Sequence, residues 1–162
     1  MKTTLEKAKE NLHDNVVSSL QDLLERTYDA EAGYKKAVEN AKSKHLIEFL
    51  KRRSAQRSQF ANEIDFQLRK LNETPVESGS TKAALHRAWM DVKAFTRSTT
   101  DQAVLEECLR GEKASLETYK EILEDQNFNP EITKMLHEQM DRVKTSIYEI
   151  DRLEKIEEVM NS

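Results

Sequence analysis

Two glutamates, Glu31 and Glu112, fall inside stripes of apolar residues that recur at helical spacing. A charged side chain in such a seam is costly unless it is paired or metal-bound, so each needs a partner. Inward-facing carboxylates in a helical bundle are the chemistry of a di-iron centre. Two helices each offer a single Glu, and two others each offer Glu-x-x-His. Iron favours this set because carboxylate oxygens match its charge and imidazole completes the shell. Glu31 and Glu112 stand where the two single ligands belong, for iron or another divalent metal. The other half of the motif is missing: the one Glu-x-x-His string, Glu10-x-x-His13, lies before the bundle proper and reads as exposed chance. His45, His86 and His137 fall at a helix start, on a crossover and off the last seam. The residues level with Glu31 on the next helix are Arg53 and Gln56, and a cation at Arg53 repels iron and neutralises Glu31 directly. The expectation is an Arg53–Glu31 ion pair, with Glu112 hydrogen-bonded to Gln139 or Ser146. A metal held by Glu31 and Glu112 is the alternative.

Other groups carry weaker chemistry. Lys51, Arg52, Arg53 and Arg57 form a basic run, but helical spacing scatters them around the helix and no aromatic pairing supports strand binding, which disfavours nucleic acid as a partner. Cys108 falls at a seam position that suits a small buried hydrophobe, with no seam histidine to act as its base. Tyr28, Tyr34, Tyr119 and Tyr148 lie near seams, where core packing with a partnered hydroxyl is expected over electron relay. Trp89 is expected to anchor the crossover helix onto the bundle.

The elements that position these residues are long helices. The three glycines and two prolines are expected chiefly at helix ends. A first helix from about Asp14 to Asn40 carries the stripe Val17, Leu20, Leu24, Thr27, Glu31, Tyr34, Val38 and Ala41. Ser43 can cap a second, whose seam reads Leu46, Phe49/Leu50, Arg53, Gln56/Arg57, Phe60, Ile64, Gln67 and Leu71. The short link makes these two an antiparallel hairpin. Turn chemistry from Asn72 to Ser80 precedes a shorter helix over about Thr81 to Arg97. Thr99-x-x-Gln102 reads as a capping box opening the next helix. That helix bears Leu105, Cys108/Leu109, Glu112, Leu116 and Tyr119. Asn129-Pro130-Glu131 is the strongest start signal in the chain, and the helix it opens buries Ile132, Leu136, Gln139, Val143, Ser146 and Ile150. Two hairpins joined by a long crossover that carries its own short helix describe an all-α, ferritin-like four-helix bundle. The whole chain reads as a single domain, residues 1–162, with core 14–156 and crossover 72–100. A shift of 81 residues lays Leu24 and Glu31 over Leu105 and Glu112, which predicts that both glutamates share one level of the bundle.

Composition agrees with a soluble bundle: 35% of residues are charged and 37% apolar. The net charge of −4, with both signs interspersed, offers no broad attraction to nucleic acid. One cysteine excludes an intrachain disulfide and fits a reducing compartment. The N-terminus lacks the apolar run of a signal peptide, and no stretch of about 18 apolar residues could span a membrane, so a cytoplasmic location is expected.

Four strings carry a family resemblance: Asp29-Ala30-Glu31-Ala32-Gly33-Tyr34, Ala55-Gln56-Arg57-Ser58-Gln59-Phe60, Leu85-His86-Arg87-Ala88-Trp89-Met90-Asp91 and Glu107-Cys108-Leu109-Arg110-Gly111-Glu112. Together, over roughly Val16 to Leu153, they resemble the bacterial ferritin-like four-helix-bundle family of unknown function. The resemblance implies a ferritin-like fold in a bacterial cytoplasm, in stress-related settings, and carries over no catalytic residue. Family members have a histidine late in the last helix where this chain has Ile147, which counts against a metal centre. The leading expectation is a non-enzymatic bundle without a cofactor, acting as a structural, stress-associated or partner-binding module, with a homodimer as its oligomeric form. The alternative is an iron-binding protein with oxidase-like activity through Glu31 and Glu112. A third reading, a nucleic-acid-protective assembly, is disfavoured by the negative charge and the lack of a basic tail.

Overall fold

The computed structural model describes residues 1–78 and 100–160, which form four long helices: α1 (Thr4–Asn40), α2 (Lys44–Lys70), α3 (Asp101–Asp125) and α4 (Pro130–Met160). Each boundary has a local cause. Helix α1 starts ten residues ahead of the expected Asp14 because Thr3 builds a reciprocal capping box: its hydroxyl accepts from the Glu6 N–H at 3.1 Å, and its own N–H donates to the Glu6 carboxylate at 2.9 Å. Glu10 and His13 therefore lie on α1, where His13 meets Glu73 at 3.0 Å. Ser43 stands at the start of α2, but its side chain makes no capping bond. Instead, Asp101 accepts from the backbone N–H groups of Lys42 and Ser43, at 2.8 and 2.7 Å. Helix α2 closes in a Schellman turn. Asn72 adopts a left-handed φ of 62°, and the N–H groups of Asn72 and Glu73 return to Arg69 O and Leu68 O, each at 3.0 Å. Thr100, one residue past the expected Thr99, caps α3 by accepting from Ala103 N–H, while Gln102 turns to Glu106. Asn129 caps α4 as its sequence predicts, accepting from Ile132 N–H at 2.9 Å. Gly33 and Gly111 lie within helices, contrary to the expectation that glycine marks helix ends. The predicted crossover helix, with His86 and Trp89, and the Thr99 position lie outside the described residues.

The topology follows from which ends meet. Helices α1 and α2 pack as one antiparallel hairpin and α3 and α4 as the other, joined through narrower α1–α3 and α2–α4 interfaces. Asp101 places the start of α3 beside the α1–α2 turn, whereas Lys70 at the end of α2 pairs with Glu131 at the start of α4. Helix α3 therefore runs parallel to α2, with the end of α2 and the start of α3 at opposite ends of the bundle. This is the ferritin-like arrangement. No helix among the described residues is long and apolar enough to cross a membrane.

The apolar core is divided in two. One cluster centres on Leu20, Leu24, Phe60, Ile64, Leu68, Leu136 and Val143. The other gathers Tyr34, Phe49, Leu50, Leu105, Cys108 and Ile150. Between them lies a layer of buried polar side chains.

Candidate functional site

All four helices contribute to this layer. Thr27 and Tyr34 come from α1, Ser54, Gln56 and Arg57 from α2, Glu112 from α3, and Gln139 and Ser146 from α4; all are buried. At its centre an Arg57 guanidinium nitrogen stands 2.6 Å from Glu112 Oε1, with side chains 3% and 0% exposed. Helices α2 and α3 face each other across the core, so this ion pair crosses the middle of the bundle. The Tyr34 hydroxyl donates to the same Glu112 oxygen, and Arg57 also donates to Gln56 at 2.5 Å. The guanidinium lies over the Phe60 ring at 5.3 Å and the Tyr34 ring at 5.8 Å, two cation–π contacts that add to its confinement. Glu112 Oε2 is buried and has no hydrogen-bond partner among the described residues.

Electrostatics follow the geometry. Burial alone lowers the pKa of Arg57, but the Glu112 carboxylate and the nearby tyrosines more than reverse this, so the guanidinium stays charged. Burial pushes the Tyr34 hydroxyl well above its ordinary range, and the Glu112 charge pushes it further. The Cys108 thiol rises for the same two reasons in the same order. A neutral Tyr34 that donates and a charged Arg57 that donates both act on one carboxylate. The layer is thus a charge-assisted network that fixes three helices against one another.

The predicted site residues are brought together only in part. Glu112 is central, but it meets neither Gln139 nor Ser146. Gln139 accepts from the Tyr119 hydroxyl at 2.6 Å and donates to Glu63 at 3.0 Å. Arg53 donates to the Ser146 hydroxyl at 2.9 Å, flanks Glu149 at 3.9 Å and covers the Phe49 ring. Burial lowers the pKa of Arg53, with Glu149 opposing the shift. Glu31 does not reach Arg53. It sits at the flank of the seam, 18% exposed, and pairs with Lys35 one turn along its own helix at 2.9 Å. The buried ridge of α1 runs through Thr27, Ala30, Tyr34 and Ala37, so Tyr34 rather than Glu31 enters the layer. Tyr148 is 63% exposed, contrary to its seam reading. Arg57, missed as the key partner, lies on the stripe Leu50, Arg53, Arg57, Phe60 and Ile64; the signal was there, masked by its grouping with the neighbouring basic residues. That basic run is split by the fold: Lys51 and Arg52 are exposed and Arg57 is buried.

A metal would find little to bind here. The carboxylate at the centre is already neutralised by a guanidinium, and Glu31 faces a lysine at the rim. Among the described residues, His45 and His137 are exposed and His13 is only partly buried, and no three His, Cys, Asp or Glu side chains are grouped to hold a metal ion. The donor set does not fit a di-iron centre. A cavity of about 20 Å³ between α1 and α3, lined by Thr27, Ala30, Arg57, Ser115 and Tyr119 among others, has room for one water beside the pair.

Comparison with known proteins supports the same architecture. A solved structure of a mutant of Mycobacterium smegmatis Dps1 is similar in fold, with a TM-score of 0.78 at 15% identity, covering 89% of this chain and 97% of that chain. No curated protein sequence matches. Residues 15–125, which hold Tyr34, Arg57 and Glu112, match the family described as "Domain of unknown function (DUF2383)", and the chain belongs to that family.

Proposed function

We propose that this chain is a non-enzymatic ferritin-like bundle of the bacterial cytoplasm, a stress-associated or partner-binding module that self-associates as a dimer. In this reading the level of the bundle where a di-iron centre would lie is occupied by a structural ion pair. One observation carries it: Arg57 lies 2.6 Å from a fully buried Glu112. A guanidinium there supplies the positive charge that a metal would otherwise supply and leaves no opening for a second cation. The family resemblance supports the stress-associated and cytoplasmic parts.

The second reading, an iron-binding protein with oxidase-like activity through Glu31 and Glu112, draws on the unpartnered Glu112 Oε2. Aerobic addition of Fe(II), followed by desalting and elemental analysis, separates the two. The first reading expects no iron retained near stoichiometry and no oxidation above buffer. Stoichiometric iron that disappears in both Glu31→Leu and Glu112→Leu establishes the second.

A further inference from the structure

The α2–α4 face carries two apolar grooves of opposite charge at its two ends. The first, of about 420 Å³, holds Phe66 and Met135 beside Glu63, Glu131, Glu138 and Lys134. Lys70 stands at its edge, its ammonium 2.6 Å from Glu131 and 5.6 Å from the centre of the Phe66 ring, so three carboxylates face two ammoniums and leave a net charge of −1. The second, of about 280 Å³, holds Phe49, Leu153 and Ile156 beside Arg52, Arg152 and Glu149. Two guanidiniums against one carboxylate leave it a net charge of +1. Phe66 is 57% exposed and Ile156 42%, so each groove presents a large apolar side chain to solvent. Fourteen residues of α2 separate Phe66 from Arg52, or about 21 Å along the helix.

An acidic apolar groove and a basic apolar groove at opposite ends of one face are complementary to each other under a two-fold rotation. We infer that this face is an isologous interface with a second copy of the chain, the axis crossing the middle of α2 and α4, so that Phe66 of each copy enters the Phe49–Leu153–Ile156 groove of the other. The acidic rim of one copy then lies against the Arg52 and Arg152 rim of its partner, the like-signed ends are kept apart, and the register is fixed. The dimension fits. Helix α2 is about 40 Å long and two adjacent helices are about 20 Å wide, which offers on the order of 800 Å² per copy, the size of a standard stable interface. The inference rests on the self-association proposed above and names its surface.

Sedimentation equilibrium and light scattering on the full chain test it. The parent is expected to be a dimer. Phe66→Asp is expected to weaken dimerisation at least ~10-fold, because an apolar anchor becomes a charge in a desolvated groove. Arg152→Glu is expected to weaken it several-fold, and Arg152→Glu combined with Glu138→Lys to recover most of that loss, since facing charges are opposite again. Phe66 and Arg152 are exposed, so the melting temperature of the diluted monomer should hold in each variant. A monomeric parent overturns both the self-association and this surface. A dimer indifferent to Phe66→Asp and Arg152→Glu overturns this surface alone.

Discussion

Replacing Arg57 with methionine removes the cation from the centre of the bundle while keeping most of the side chain's volume. Glu112 has 0% exposure, so no solvent compensates the carboxylate left behind. Removing one partner of a buried ion pair typically costs ~3–5 kcal/mol, most of it the penalty of the stranded charge. For a domain of this size, 1 kcal/mol shifts the melting temperature by roughly 2–4 °C, so the loss should read as about 6–20 °C. Adding Glu112→Leu removes the stranded charge, and adding Tyr34→Phe removes the hydroxyl that would otherwise lose its acceptor, worth ~1–3 kcal/mol if left buried and unpaired. The triple variant should recover most of the parent's stability. Thermal and urea denaturation followed by circular dichroism gives all these quantities. An Arg57→Met protein as stable as the parent would refute the buried pair.

Three further outcomes follow from local geometry. Asn72 holds a left-handed backbone at the end of α2, so Asn72→Gly should be neutral or better, while Asn72→Val should lose ~1–2 kcal/mol in denaturant melts; equal stability of all three would place the turn elsewhere. Burial raises the hydroxyl pKa values of Tyr34 and Tyr119, and because a raised folded pKa gives stability that is present below the unfolded value near 10 and lost as pH rises, both should ionise only with alkaline unfolding. Ultraviolet titration that ionised all four tyrosines reversibly in the folded protein would contradict this. Buried Cys108, its thiol pushed upward, should be inert to a disulfide reagent until denaturant is added, whereas rapid native-state labelling would show that α3 packs differently.

The fold was legible because helix capping and periodicity are local. Asn129-Pro130-Glu131 announces its helix whatever lies around it, and the seam of α4 reads correctly from Ile132 to Ile150. The early start of α1 was legible too, in the Thr3-x-x-Glu6 box, but the sparse apolar content ahead of Val16 hid it. The site was less legible because a stripe read in steps of three and four does not say which of two adjacent ridges faces inward. On α1 the alternatives are Thr27–Glu31–Tyr34 and Thr27–Ala30–Tyr34, and packing chooses the second. That single difference moves Glu31 to the rim, where Lys35 neutralises it. On α2, Arg53 and Arg57 both lie on the buried stripe. Only the pairing of α2 across the diagonal with α3 selects Arg57 as the partner of Glu112, and that contact joins residues 55 apart in sequence.

The most direct measurement is a crystal structure of the protein grown with excess Fe(II), with diffraction collected at the iron absorption edge. Arg57 is expected to be ordered against Glu112, with Tyr34 bonded to the same carboxylate, Glu31 turned to Lys35, and no anomalous peak in the polar layer. An iron peak bonded to Glu112, with Arg57 swung out of the layer and Glu31 swung in, would contradict the structural ion pair.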